Sequence, residues 1–368
     1  MSEAYMKRIF IVAGEVSGDR LAAWYVNKMR KDNPDMVIQA VGGDCLAAAG
    51  VDLYERFEHL NIVGIVEIIR HLPRLLRFMD TLVTHIISTK IDEVVVVDFP
   101  GFNLRLIKKL KQKNPHLTIT YLSPPQLWCW GAWRIQKLKR FCDHVIVLYP
   151  FEVEWYRKRG LTVQWLGNPI YEAVVPYRSA HKEPMIALIP GSRLSEVTRL
   201  LPLFLRVAAK LHDVHSELRF VIPLAQSIPM STLEAIVRKH NLGSIWQRVT
   251  VVRDEQEKFK QLARCCAALS KPGTVTLELA LLGVPTVVAF KISWMTYCIA
   301  RLLVKVSFMS LPNLLLGKEL FKEVIQWRCT PVLLAQYLNE VYTSAVHKTE
   351  TYLLFCKDVE VLTQRFIS

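Results

Sequence analysis

The chain alternates two hydrophobic periods. Short unbroken apolar runs recur, and between them apolar residues return at three- and four-residue spacing. Met185 to Ala208 shows the unit plainly. Ile186–Ile189 reads as a buried strand, Pro190-Gly191-Ser192-Arg193 as a turn, and Leu194, Val197, Leu200, Leu201, Leu205 and Ala208 as one helix face. Gly191 lets the backbone turn sharply and approach a ligand closely. The free N–H groups and positive dipole end of the new helix favour an anion. Ser192 adds a hydroxyl, and Arg193 a planar fork suited to phosphate oxygens. The stretch reads as a diphosphate seat at the mouth of an α/β domain. A plain β–α turn, with Ser192 capping the helix and Arg193 in solvent, fits the same residues equally well.

The same unit opens the chain: a strand over Lys7–Ala13, a turn over Gly14-Glu15-Val16-Ser17-Gly18-Asp19, and a helix to about Arg30. Gly14 and Gly18 do not fit G-x-G-x-x-G, so a dinucleotide fingerprint is not supported. Glu15 and Asp19 make this turn a poor phosphate seat; it suits hydroxyl recognition, or simple helix capping. Val37–Val41 is a second strand, ending at Gly42-Gly43. Between Leu60 and Arg77, Ile65, Ile68, Ile69, Leu72, Leu75 and Leu76 share a face, with Arg70, His71, Arg74 and Arg77 off it. Such a helix packs on a sheet in the ordinary case and lies in a membrane interface in the sharper one. Pro73 argues against one continuous helix.

Glu93–Val97 is a buried-strand run ending in Asp98-Phe-Pro-Gly-Phe-Asn103, with a basic helix after Asn103. Ile119–Leu122 is another strand, ending at Ser123. Trp128, Trp130 and Trp133 follow, with Arg134, Lys137, Lys139 and Arg140 close behind, and Val145–Leu148 is the next strand. Residues 168–184 are irregular and hold the domain boundary. Beyond it, strands are expected at 186–189, 219–223, 249–252, 267–269 and 286–290, with a further glycine turn at Ser270–Glu278. Trp294 to Ser310 and Leu311 to Glu319 follow, and the C-terminal part reads as helices. The organisation is then a domain over 1–170, a second over 185–345, and helices over 346–368 that return to the first domain or meet a partner chain. Strands alternating with helices imply two parallel-sheet α/β domains. In such sheets ligands bind beyond the carboxyl ends of the strands. Glu15, Asp98, Ser123, Arg193 and Gly273 all stand at such ends, which makes the cleft between the domains the expected site.

Composition narrows the partners. The chain has 368 residues, 51% of them hydrophobic, enough for two cored domains. Eight cysteines without a C-x-x-C pair or a signal peptide read as reduced thiols in a cytoplasmic protein. The ten histidines form no zinc signature, and no apolar run is long enough to span a membrane. The formal charge of +14 is shared: residues 1–170 carry 23 Lys+Arg against 17 Asp+Glu (+6), and residues 171–368 carry 24 against 16 (+8). Such a protein favours anionic partners, whether phosphorylated substrates, nucleic acid or an anionic membrane face. The spread of the charge and the lack of an RNA-binding motif argue against nucleic acid.

Two α/β domains with a Gly-Ser-Arg turn and a later G-T-x-x-L-E turn resemble the GT-B fold of nucleotide-sugar glycosyltransferases: two Rossmann-like parallel-sheet domains facing a cleft. More closely, the chain resembles the lipid A disaccharide synthase family. The resemblance rests on Gly14–Asp19, Asp98–Asn103, Tyr121–Pro124 with Trp128-Cys-Trp130, Pro190–Arg193, Gly273–Glu278, and Ser310–Gly317 followed by Glu319-Leu. These blocks keep the family's order between residue 9 and about residue 325. The chain departs at Pro272-Gly273-Thr274, where the family has Ser-Gly-Thr, with Ser270 and Lys271 just before. Gly101 replaces the family's second aspartate, and Gly131 stands where an arginine is usual.

The resemblance implies a UDP-2,3-diacylglucosamine donor and a 2,3-diacylglucosamine 1-phosphate acceptor. The products would be a β-1,6-linked disaccharide 1-phosphate and UDP, formed with inversion and without metal or cofactor. It implies Asp98 as the catalytic base, with Glu15 as the rival. Helix capping is the plain reading of Asp98, and Phe99, Pro100 and Phe102 should limit water and raise its pKa. Substrate contacts would come from Ser17, Ser123, Trp128, Gly191, Ser192, Arg193, Gly273, Thr274, Glu278, Asn313 and Glu319. Glu278 in an apolar helix suits a ribose contact or a partly exposed first-turn carboxylate. Asn313 suits a ligand amide or a turn former, and Trp128 a sugar or acyl contact or a core aromatic. The same resemblance places the protein peripherally on an anionic inner-membrane surface, with a homo-oligomer left open. Another GT-B transferase with a different lipid acceptor, a sugar-nucleotide epimerase and a non-catalytic basic protein are the alternatives.

Overall fold

The computed structural model describes residues 6–57, 65–291 and 307–367, with residues 65–72 described by backbone alone. The helix-face residues Ile65, Ile68, Ile69 and Leu72, and most of the Trp294–Ser310 stretch, lie outside the described side chains. The chain divides into two compact units, Met1–Pro169 and Ile170–Ser368.

The first unit is one parallel sheet of seven strands: β1 (Arg8–Ala13), β2 (Val37–Gly42), β3 (Asp52–Arg56), β4 (Glu93–Val97), β5 (Thr118–Leu122), β6 (His144–Val147) and β7 (Gln164–Trp165). Their order is β3-β2-β1-β4-β5-β6-β7. The helices are α1 (Val16–Asp32), α2 (Asp44–Ala48), α3 (Ile65–Ser88), α4 (Pro100–Lys113), α5 (Ile135–Phe141) and α6 (Pro150–Arg157), with α7 (Pro169–Val174) at the boundary. A strand's side chains alternate between faces. Ile9, Ile11 and Ala13 therefore join one core with Leu21, Ala22 and Val26 of α1. Phe10 and Val12 join the other with Leu82 of α3 and Leu106 of α4. Both faces are covered, which is why β4 reads as an unbroken valine run.

The second unit repeats the plan with β8 (Glu183–Ile189), β9 (Arg219–Pro223), β10 (Val249–Val252), β11 (Cys265–Ser270), β12 (Thr286–Phe290) and β13 (Lys322–Ile325). Their order is β10-β9-β8-β11-β12-β13, again parallel. The helices are α8 (Leu194–His212), α9 (Met230–Lys239), α10 (Gly243–Trp246), α11 (Glu255–Arg264), α12 (Thr274–Leu281), α13 (Leu311–Leu316), α14 (Pro331–Val346) and α15 (Glu350–Gln364). Within this unit α15 is tied by Lys318–Asp358, by Arg178–Glu360 and by stacking of Phe321 on Phe355, and just beyond it Phe366 stacks on Tyr171.

Three local expectations are corrected. Pro73 does not break its helix: α3 runs through it. An interior proline costs about 3 kcal/mol, but Met79, Leu82, Val83 and Ile86 of the same helix are buried, at about 1.5–3 kcal/mol each. The helix after Asp98 begins at Pro100, not beyond Asn103, because proline's fixed φ suits the first helical position. Leu194 does not share the buried face of α8; it is exposed in the first turn, while Val197, Leu200, Leu201 and Leu205 are buried.

Candidate active site

In each unit the strand order reverses at one place, between β1 and β4 in the first and between β8 and β11 in the second. Loops diverge to opposite faces there, and open α/β sheets bind ligands in the gap. Glu15 and Asp98 follow β1 and β4; Arg193 and Lys271 follow β8 and β11.

The loop after β4 is held in a costly conformation. Asp98 and Phe99 both adopt left-handed backbone, with φ of 45° and 43°, at about 1–3 kcal/mol each for non-glycine residues. The surroundings enforce it. The Asp98 carbonyl accepts hydrogen bonds from Tyr121 Oη (2.8 Å) and Asn103 Nδ2 (2.8 Å), and Asp98 N donates to Leu122 O (3.1 Å). Phe99 lies over Gly14, where a Cβ would come within 2.5 Å of the ring. Gly14 thus lets the loops after β1 and β4 close together. Burial raises the Asp98 pKa to about 6; the neighbouring Glu15 charge and a side-chain hydrogen bond to Glu15 add to the rise. Asp98 does not cap α4: Phe99 takes that position, and no side chain caps it.

Ser17 is exposed and its hydroxyl donates to Glu15 Oε1 at 3.1 Å. It therefore steadies the Glu15 carboxylate. Asp19 is buried and accepts from Gly43 N (2.8 Å) and Cys45 N (2.9 Å), so it fixes the β2–α2 turn. Ser123 also has left-handed backbone (φ 54°) at the end of β5 and donates its N–H to Ile146 O. Trp128 donates Nε1–H to Glu152 Oε1 at 2.9 Å and packs edge-on to Phe151. Burial, offset by that bond and two backbone amides, brings Glu152 to about 7. Trp130 and Trp133 behave differently: both are exposed, and the Arg134 guanidinium lies 4.0 Å from the Trp130 ring centroid and 5.7 Å from that of Trp133.

In the second unit Gly191 has φ of 134° and the turn delivers Ser192 and Arg193 to the start of α8. Ser192 does not cap the helix. Arg193 holds the cap position, with its side chain 68% exposed, and the Glu196 carboxylate takes the N–H groups of Ser192 and Arg193. Lys271 N bonds Ile189 O at 3.1 Å, which sets the turn after β11 beside the turn after β8. Gly273 (φ 152°) precedes α12, whose first residue, Thr274, is exposed.

Glu278 is not a first-turn carboxylate in solvent. It lies one turn into α12 with its side chain 14% exposed, and Oε2 stands 2.7 Å from Lys258 Nζ. That contact is an ion pair without hydrogen-bond alignment. The cationic partner comes from α11, twenty residues upstream (278 − 258), which local pattern cannot reveal.

Asn313 does not present its amide outward. It is fully buried: Nδ2 donates to Phe321 O (2.8 Å) and Glu323 Oε1 (2.9 Å), and Oδ1 accepts from Leu320 N (2.9 Å) and Phe321 N (2.8 Å). Its polar atoms are spent on fixing the segment before β13. Glu323, overlooked in the sequence, also accepts from Met309 N and Ser310 N. Register places Glu323 level with Val288, and Val288 level with Ser270 at the end of β11. Glu319 is exposed and pairs with Lys322 at 3.0 Å. Among the described residues no group of three or more His, Cys, Asp and Glu could hold a metal ion, and no helix is long and apolar enough to cross a membrane.

Comparison with known proteins bears on what these sites serve. The family model described as lipid-A-disaccharide synthetase matches residues 9–366. The lipid-A-disaccharide synthase of Myxococcus xanthus is 34% identical over 353 residues, covering 93% of this chain and 90% of that one. That of Alkalilimnicola ehrlichii is 36% identical over 344 residues, covering 90% and 88%. Among solved structures, the UDP-GlcNAc 2-epimerase of Neisseria meningitidis bound to UDP-GlcNAc superposes with a TM-score of 0.61 at 12% identity, covering 98% of this chain and all of that one. S. aureus MnaA with UDP gives 0.56 at 13% identity, covering 85% and 87%. At such identity the structural likeness speaks for the GT-B type of fold alone. The sequence match across both units shows that the chain belongs to the lipid-A-disaccharide synthetase family.

Proposed function

We propose that the chain transfers the 2,3-diacylglucosamine unit of a UDP-activated donor to 2,3-diacylglucosamine 1-phosphate, giving the β-1,6-linked disaccharide 1-phosphate and UDP with inversion. Family membership over residues 9–366 supports the substrates. The observation that carries the chemistry is the half-buried Asp98 carboxyl on its strained turn, with a pKa raised to about 6. A base of that pKa is ionised at neutral pH, yet takes a proton more readily than an ordinary aspartate. Asp98 removes the acceptor hydroxyl proton as that oxygen attacks the anomeric carbon. The bond to the UDP oxygen breaks on the opposite face. Burial raises the basicity of Asp98, and Glu15, steadied by Ser17, adds to it. Arg193 and the amides at the start of α8 meet the charge that develops on the leaving diphosphate. Glu278 receives the ribose hydroxyls. Ser123, Thr274 and Glu319 stand exposed or half-exposed as further contacts for substrate.

The acylated substrates reside in a membrane. Exposed Trp130 and Trp133, bracketing Arg134, offer amphipathic rings and a cation to an anionic lipid surface. The reading is of a protein held peripherally on the cytoplasmic face of the inner membrane. Incubation with radiolabelled UDP-2,3-diacylglucosamine and the acyl-sugar phosphate, followed by chromatography, tests the function. Labelled disaccharide supports it. Release of label as free sugar, or conversion of the donor to an epimer without acceptor, rejects it.

A further inference from the structure

The turn after β8 already holds an anion, and the anion is the protein's own. Glu196 Oε2 accepts from Ser192 N at 3.1 Å and Arg193 N at 3.3 Å. Oε1 of the same carboxylate lies 2.7 Å from Lys271 Nζ and 3.6 Å from the Arg193 guanidinium. A Cβ added to Gly191 would collide with this carboxylate, so it fills the space the glycine leaves open. Two amides, a lysine and an arginine converging on anionic oxygens are what a diphosphate requires. Lys271 also stands just before Pro272, the position at which the resemblance puts a serine hydroxyl, so a cation lies beside the place where that hydroxyl is lost.

We propose that Glu196 is an internal stand-in for the donor's diphosphate, and that Lys271 is a diphosphate ligand that exchanges Glu196 for the donor on binding. This rests on the reading of Pro190–Arg193 as the donor's phosphate seat. Carboxylate and phosphate compete for the same two N–H groups, so the incoming diphosphate displaces Glu196. Lys271, half-buried with its side chain 21% exposed, keeps an anionic partner throughout, first Glu196 and then phosphate. That continuity matters because an uncompensated, partly desolvated cation is costly. Return of Glu196 to the amides helps to expel UDP after transfer, a step that limits many transferases.

The test is calorimetric titration of the full chain with UDP and, as a phosphate-free probe, uridine. Glu196→Gln keeps an acceptor for the amides but removes the competing charge. UDP binding should tighten about tenfold, the scale of one charged hydrogen bond, with uridine unchanged. Lys271→Met on the Glu196→Gln background should weaken UDP about tenfold, again sparing uridine. Unchanged or weaker UDP binding in Glu196→Gln overturns the stand-in. No effect of Lys271→Met on that background reduces Lys271 to a partner of Glu196 and overturns the exchange. If Arg193→Ala weakens UDP while neither of these variants has any effect, only this inference falls; if the unaltered protein does not bind UDP, the phosphate seat falls with it. Lys271→Met alone leaves the amide bonds of Glu196 intact, so it serves where Glu196→Gln does not fold. Unchanged UDP affinity in that single variant also rejects the inference.

Discussion

Asp98 and Glu15 stand at the ends of β4 and β1, strands paired directly at Val97 and Ala13, and the Glu15 charge adds to the rise that burial gives the Asp98 pKa. A carboxylate close to another carboxyl group disfavours the second one's ionised form, so Asp98 keeps its proton to a higher pH than an ordinary aspartate.

The first prediction is a pH profile. Asp98 must be ionised to act as base, and its pKa lies near 6. We expect kcat/KM to fall as pH drops through about 6. Glu15→Gln removes a neighbouring charge and should move that midpoint downward, leaving the larger contribution of burial in place. Asp98→Asn should lower kcat about 10²–10⁴-fold. The stability effect has the opposite sign. The folded pKa lies above the reference of 3.8, so the native state binds the extra proton between about 4 and 6, and stability declines as pH rises through that window. Above it Asp98→Asn relieves the cost of a desolvated carboxylate. Its Tm at pH 8 should match or exceed that of the unaltered protein; a lower Tm would make Asp98 a structural residue.

Arg193→Ala should raise the Kd for UDP about 10- to 150-fold, from roughly 1.5–3 kcal/mol for a charge-assisted hydrogen bond. Among the described residues the exposed side chain makes only a long contact to Glu196, so Tm should hold. Unchanged UDP inhibition in a folded variant would remove Arg193 from the donor site.

Lys258→Met leaves the Glu278 carboxylate without its cation. Leaving a partly buried charged group unpaired costs about 1–3 kcal/mol, so Tm should fall measurably. The pair Lys258→Met with Glu278→Gln should recover most of that loss while donor KM stays high. A Tm unaffected by Lys258→Met would show that the pair contributes nothing to the fold.

Vesicle flotation tests the membrane reading. Binding to anionic vesicles should exceed binding to neutral ones and weaken as salt screens it. Trp133→Ser with Trp130→Ser should reduce binding to both. Equal, salt-insensitive binding to both lipids would reject the electrostatic part, and full retention by the double variant would reject the tryptophans.

Turnover should survive EDTA and need no added magnesium, because Arg193, Lys271 and the amides at the start of α8 can offset the leaving group's charge. Loss of activity in EDTA, restored by magnesium, would overturn this.

Central strands were legible in the sequence because parallel sheets bury them on both faces. Val94–Val97 and Ile186–Ile189 carry no polar residue for that reason. Edge strands β3, β7 and β13 escaped notice. Asp52–Arg56 and Lys322–Ile325 mix charge with apolar residues, and Gln164–Trp165 is too short to show a period. Asp98 and Gly191 were legible through their place after apolar runs. Their supports were not. Tyr121 on the Asp98 carbonyl, Lys258 on Glu278 and Lys271 on Glu196 arise from chain segments that meet only in the fold. Asn313 misled for a related reason: a polar residue in a turn-like stretch gives no sign that it will be wholly enclosed.

The reversal of strand order also sets a schedule for synthesis. In the first sheet β1 finds its second neighbour only when β4 is made, with Ala13 paired to Val97, 84 residues later (97 − 13). In the second, Ile189 waits for Ser270 across 81 residues (270 − 189). At about 5–20 residues per second on the ribosome, each wait lasts roughly 4–17 s. For that time one edge of a largely apolar strand stands unpaired, the arrangement most open to pairing with another chain. Each gap lies beside its own unit's candidate groups, Glu15 and Asp98 in the first and Arg193 and Lys271 in the second, so the loops proposed to serve the reaction are also those most exposed to misassembly while the chain is being born.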